Sequence, residues 1–182
     1  MLQCSLSVQL YPAREALAKD LPSTLRRVND IGYRNVELFG FVDLADQYSE
    51  LLPSVGLVAP SAHARLLDQD VAVIFSAAEK IGVTTVIDPH IDIERWTAQD
   101  DIARAAASLN EVAKIGAGHG LVIGYQNHWW ETENRIDGTP DLEILASAPQ
   151  ALRVVELDGF NGDIFDELRD SFAYLTANGV SA

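Results

Sequence analysis

A chain of 182 residues, 48% of them hydrophobic and 22% charged, is long enough to bury one substantial core, and a single domain over residues 1–182 is expected. The 27 acidic residues against 13 basic ones leave a formal charge of −14, which repels the phosphate backbone of any nucleic acid and excludes DNA or RNA as a partner class. The single cysteine, Cys4, excludes an intrachain disulfide framework, no apolar run approaches the roughly 20 residues of a membrane helix, and residues 1–11 read as the entry to a strand rather than a secretion signal, so a cytoplasmic protein without membrane partners is expected.

Short apolar runs bounded by turn residues recur along the chain, each followed by a stretch with helical spacing. This is the pattern of βα units around a parallel sheet. Six strands are predicted: Ser7–Tyr11, Asn35–Phe39, Val58–His63, Thr85–Asp88, Val122–Asn127 and Val154–Leu157. Between them, Leu21–Ile31 runs to Gly32, Leu44–Val55 to Gly56, Val71–Ile81 to Gly82, and Asp100–Ile115 into the glycines at 116–120, each stop being a helix C-terminal signal. A last helix is predicted from Asp163 through Phe172 to Asn178-Gly179. A full eight-stranded βα barrel needs about 250 residues, so the length falls short by about two units. Six units fit either a shortened TIM-like barrel or an open doubly wound sheet, and periodicity does not separate them.

In parallel βα folds the functional groups gather at the C-terminal ends of the strands. That edge is predicted to carry Gln9 and Tyr11, Glu37, His63, Asp88 and His90, then Gln126, Asn127, His128, Trp129, Trp130 and Glu131, and finally Glu156 with Asp158. Three of the four histidines fall there; the fourth, His119, sits in a glycine-rich turn at the opposite edge and reads as structural. Glu37 and Glu156 lie inside the apolar runs Val36-Glu37-Leu38 and Val155-Glu156-Leu157, where a charge is costly unless partnered or bound to a metal. Either carboxylate serves a site, or pairs with a neighbour such as Arg34 or Arg153. Tryptophan faces beside polar groups suit sugar rings, and of Trp129 and Trp130 one is expected in the pocket and one in the core. No Walker-type phosphate loop, dinucleotide fingerprint or nucleophile elbow is present.

Four pieces in order, Ser7–Tyr11, Leu25–Leu38, Pro60–His63 and Gly124–Glu131, resemble the sugar phosphate isomerase/epimerase group of the xylose isomerase-like TIM barrels. The resemblance covers most of residues 5–147. It implies a divalent metal, Mn²⁺, Mg²⁺, Co²⁺ or Zn²⁺, held by carboxylate and imidazole groups of the last four strands, with proton abstraction next to a sugar carbonyl. The fifth-strand ligand position falls on Gln126, a neutral amide where relatives carry Glu or His. The segment Leu152–Asp158 and the helix after it resemble the family's eighth strand and last helix. That makes Glu156 the final-strand carboxylate and places a deletion of two units near 149–152. In the alternative alignment Val154–Leu157 is the sixth strand.

Carried onto this chain, the resemblance implies Glu156, His128 and Gln126 as metal ligands and Glu131 and Glu156 as the proton-transfer groups. Tyr11, Glu37, His63, His90, Asn127 and Trp129 then line the substrate, a small sugar or keto-polyol. The competing function is a catalytically impaired relative, with or without metal, that binds sugar or assembles as a homodimer through exposed strand edges. An endonuclease of the same superfamily conflicts with the charge.

Overall fold

Apolar runs bounded by turns do form parallel strands: the computed structural model, which describes residues 5–128, 134–137, 139–141, 152–155, 165, 166, 169, 172 and 173, places six of them in one sheet. They are β1 (Ser5–Gln9), β2 (Asn35–Phe39), β3 (Val58–His63), β4 (Thr85–Asp88), β5 (Val122–Tyr125) and β8 (Leu152–Val155); β6 (Arg135–Ile136) and β7 (Thr139–Pro140) make a separate antiparallel ribbon. The helices are α1 (Arg14–Lys19), α2 (Leu21–Ile31), α3 (Ala45–Ser54), α4 (Val71–Ile81) and α5 (Gln99–Gly118). Asp20 caps α2 by accepting from Ser23 N at 2.9 Å, and Asp70 caps α4 by accepting from Ala72 N.

Three strands differ in their bounds from the sequence pattern. β1 ends at Gln9 rather than Tyr11, because Pro12 opens a 3₁₀ turn over Tyr11–Ala13 and the Gln9 side chain takes the Tyr11 N–H at 2.8 Å. β5 ends at Tyr125 rather than Asn127: its partner β4 stops at Asp88, Pro89 has no N–H to continue the ladder, and the Gln126 N–H to Asp88 O bond at 3.0 Å closes it. β8 begins at Leu152, ahead of the expected Val154.

The sheet order β5-β4-β3-β2-β1-β8 follows the chain without reversal and sets the last strand beside the first, all neighbours parallel. A doubly wound sheet would reverse its order and carry helices on both faces. Here one face is helical: Leu6, Val8, Val36, Leu38, Ala62 and Val86 from the strands pack with Leu25 and Val28 of α2, Tyr48 and Leu52 of α3, and Ile74 and Phe75 of α4. Phe165, from the helical residues near the C-terminus, joins the same core, with the Arg27 guanidinium 3.7 Å above its ring. Each large side chain so buried contributes about 1.5–3 kcal/mol. The opposite face carries Ser7, Gln9, Glu37, Ser61 and His63, all buried. This is a shortened TIM-like barrel, its helices outside and a polar interior opening at the C-terminal strand edge. Among the described residues no helix is long and apolar enough to cross a membrane.

Candidate functional site

Parallel pairing sets Gln9 opposite Glu37, Glu37 opposite Ser61 and Phe39 opposite His63, so these side chains share the inner face. A register shift makes this possible. Asn35 pairs with Val58 but Glu37 pairs with Ser61, so β3 holds one extra residue, and Pro60, which cannot donate to a ladder, falls within the bulge.

Glu37 is the centre of the resulting cluster. Its Oε1 accepts from Gln9 Nε2 at 3.3 Å and meets His63 Nε2 at 2.8 Å, while its Oε2 accepts from Ser61 Oγ at 2.5 Å. Three donors thus satisfy a carboxylate that is 2% exposed, which removes most of the penalty of burying it. The contact with Glu37 places a proton on His63 Nε2 and leaves Nδ1 as the nitrogen turned away from the carboxylate. Arg34, a candidate partner for Glu37 by sequence, instead donates to the carbonyls of Asn29 and Tyr33.

Around this centre the rim is built from loops. Tyr11, 43% exposed, meets Phe39 edge-on at 5.3 Å. Asp88 is buried and spent on backbone, accepting from Leu66 N and Leu67 N through Oδ2 and from His90 N through Oδ1. It therefore ties the loops after β3 and β4 together. Two cross-loop ion pairs, Arg65 with Asp92 and Arg95 with Asp68, do the same at the surface, and the Arg65 hydrogen bond holds the Asp92 carboxyl below its usual range. Beneath them Leu67, Ile91, Trp96, Ile102 and Ala105 form a second small core.

The structure brings two groups of the expected site residues together. Glu37 and His63 are in contact, and the half-exposed His90 ring stands edge-on to His128 with centroids 5.7 Å apart. Tyr11 reaches the first group through Gln9. Gln126 continues the β5 edge and Asn127 is exposed. Trp129, Glu131 and Glu156 lie outside the described residues, as do Trp130 and Asp158. His119 pairs with Glu79 at 2.8 Å and packs on Phe75, away from this edge. Ser61 was not among the expected site residues; its signal was the two-residue spacing to His63, which puts both on one strand face.

Of the residues that the resemblance assigns to a metal, Gln126 and His128 are described, an amide and an imidazole at one strand mouth. Among the described residues no three His, Cys, Asp or Glu side chains are grouped to hold a metal ion. Gln126 and His128 alone do not complete a divalent site, since about three protein ligands are needed.

Fold and site together define a TIM-like barrel whose polar interior opens at the C-terminal strand edge beside an orienting carboxylate and an imidazole. No family model matches the chain, and no curated protein matches it. Solved structures do. A sugar phosphate isomerase/epimerase from Parabacteroides distasonis ATCC 8503 overlaps with a TM-score of 0.66 at 20% identity, covering 84% of this chain and 64% of its own. A second structure described in the same words, from the same organism, gives 0.64 at 19%, covering 83% and 68%. A third, an IOLI protein with a bound zinc atom, gives 0.47 at 15%, covering 66% and 50%. The fold is shared with these sugar phosphate isomerase/epimerase structures, and this chain spans 64% of the first relative's length.

Proposed function

We propose that this chain is a sugar or sugar phosphate isomerase/epimerase-like protein that moves a proton on the carbon next to a sugar carbonyl. The observation that carries the reading is the buried Gln9–Glu37–Ser61–His63 set, at the edge where such barrels bind their substrates. In this reading His63, oriented by Glu37, hydrogen-bonds a substrate hydroxyl through Nδ1. Tyr11, His90, Asn127 and Trp129 line the sugar, and Glu131 and Glu156 are the carboxylates that take and return the proton. A divalent metal, Mn²⁺, Mg²⁺, Co²⁺ or Zn²⁺, held by Glu156, His128 and Gln126, supplies polarisation of the carbonyl when bound.

The test is proton–deuterium exchange. In D₂O with Mn²⁺, a panel of pentoses, hexoses and their phosphate esters is followed by NMR, and exchange at the carbon beside the carbonyl is expected. Glu156→Ala should abolish exchange and release stoichiometric metal. No exchange with any sugar, together with no metal near neutral pH, overturns the reading.

A second reading is a sugar-binding or assembly module without turnover. It is favoured by the saturation of Glu37, whose two oxygens are occupied by three donors, and by the neutral amide at Gln126. Sugar binding without exchange selects it. In either case we propose that two copies pair in the cytoplasm through the terminal strands of the sheet.

A further inference from the structure

At the C-terminal edge of the sheet, near the buried carboxylate set, stands an arginine that has no carboxylate partner among the described residues. Arg14 follows the 3₁₀ turn that leaves β1. Its guanidinium lies 4.5 Å from the Tyr11 ring centroid, and its Nη1 donates to Tyr11 O at 3.2 Å. One backbone bond and one ring face thus hold a group that has five N–H donors, and the remaining donors are available. The other arginines on the rim are neutralised, Arg65 by Asp92 and Arg95 by Asp68. Among the described residues Arg14 has no carboxylate within ion-pair distance.

Arg14 is also wired to the site. Tyr11, whose carbonyl holds the guanidinium, gives its own N–H to Gln9 Oε1, and Gln9 donates on to Glu37, which holds His63. The Tyr11 ring packs edge-on against Phe39, which is paired in register with His63. Arg14, Tyr11, Phe39 and His63 are thus linked in turn by ring contact and strand register.

We infer that Arg14 is a specificity-determining residue that receives the oxyanion substituent, phosphate or carboxylate, of a sugar bound at this edge. The inference deepens the proposed function and rests on its placement of the sugar. The reason is electrostatic. A net charge of −14 repels an anionic ligand, and a guanidinium fork oriented by a ring and a carbonyl offsets that locally with two parallel N–H···O bonds.

Calorimetry with the full chain tests it, using a pentose, its 5-phosphate and the corresponding aldonate, for wild type, Arg14→Ala and Arg14→Lys. One of the two anionic sugars should bind about tenfold more tightly than the neutral pentose, the preferred one identifying the substituent as phosphate or carboxylate. Arg14→Ala should remove that increment and leave the affinity for the neutral pentose unchanged, with Arg14→Lys in between because an ammonium cannot make the two-pronged contact. Independently, titration with inorganic phosphate and with acetate should shift the Arg14 Nε–Hε NMR signal more than those of Arg26 and Arg104. An increment that survives Arg14→Ala, or no increment and no selective shift, overturns the assignment. A selective Arg14 shift where no sugar binds instead overturns the sugar reading and leaves Arg14 as an anion site.

Discussion

Ser61 donates to a carboxylate that has almost no access to water, so its removal leaves Glu37 Oε2 without a partner. Ser61→Ala should therefore lower the unfolding free energy by about 1–3 kcal/mol, the cost of a buried acceptor left unsatisfied, read from the urea midpoint. An unchanged midpoint would show that the cluster does not depend on that bond. Two tyrosines give a second residue-scale test. Burial pushes the Tyr48 phenol up to about 12 and raises Tyr33 further, from an ordinary value of 10.0. The unfolded chain loses these protons near pH 10 while the folded chain keeps them, so stability is full below pH 10 and falls as pH rises towards 12. Unfolding midpoints measured from pH 9 to 12 should decline, with Tyr33 and Tyr48 silent in the native ultraviolet titration at pH 11. Native ionisation of Tyr33 and Tyr48 near pH 10 would contradict this. The sequence marked Glu37 because a charge between Val36 and Leu38 demands partners. It did not name those partners, because they depend on the extra residue in β3: without the bulge Glu37 would face Pro60, and Ser61 and His63 would point to the helices.

At the scale of elements, α2 and the helical residues near the C-terminus meet at Gly32. The backbone there has φ +129°, and a Cβ would come within 2.8 Å of the Phe172 ring, which also packs edge-on to Tyr33 at 5.0 Å. Gly32→Ala should therefore destabilise the chain twice over, through the backbone and through the ring, by about 2–4 kcal/mol in total. In a Phe172→Ala background the steric part should vanish and the backbone part remain, so the two substitutions should be non-additive in denaturant titrations. Strict additivity would mean the helix does not pack there. The bounds of β2, β3, β4, α2 and α4 were legible in the sequence because turn residues and caps such as Asp20 and Gly82 act locally. The ends of β1 and β5 were not, since each is decided by what a proline or a side chain does to the partner's hydrogen bonds.

For the whole molecule, the choice between barrel and doubly wound sheet was illegible from periodicity because both repeat the same βα unit; it is the pairing of β1 with β8, distant in sequence, that decides it. The same order makes β5 and β8 the terminal strands of the six-stranded sheet. A complete barrel of this kind joins its last strands to close the ring, and parallel edges that stop short offer backbone groups to a second chain. Pairing of β5 in one copy with β8 in another preserves the parallel direction and, applied twice about a twofold axis, would satisfy both edges of both copies. Light scattering on the purified chain should then give twice the 19.8 kDa of one copy, with dissociation on dilution. Proline at Ile123, an inner position of β5 next to Val86 of β4, would damage the sheet itself. The informative substitution is therefore Val122→Lys at the exposed entry of that strand, which should weaken the dimer while leaving the thermal transition of the monomer in place. A strict monomer at every concentration would remove the edges as an assembly surface.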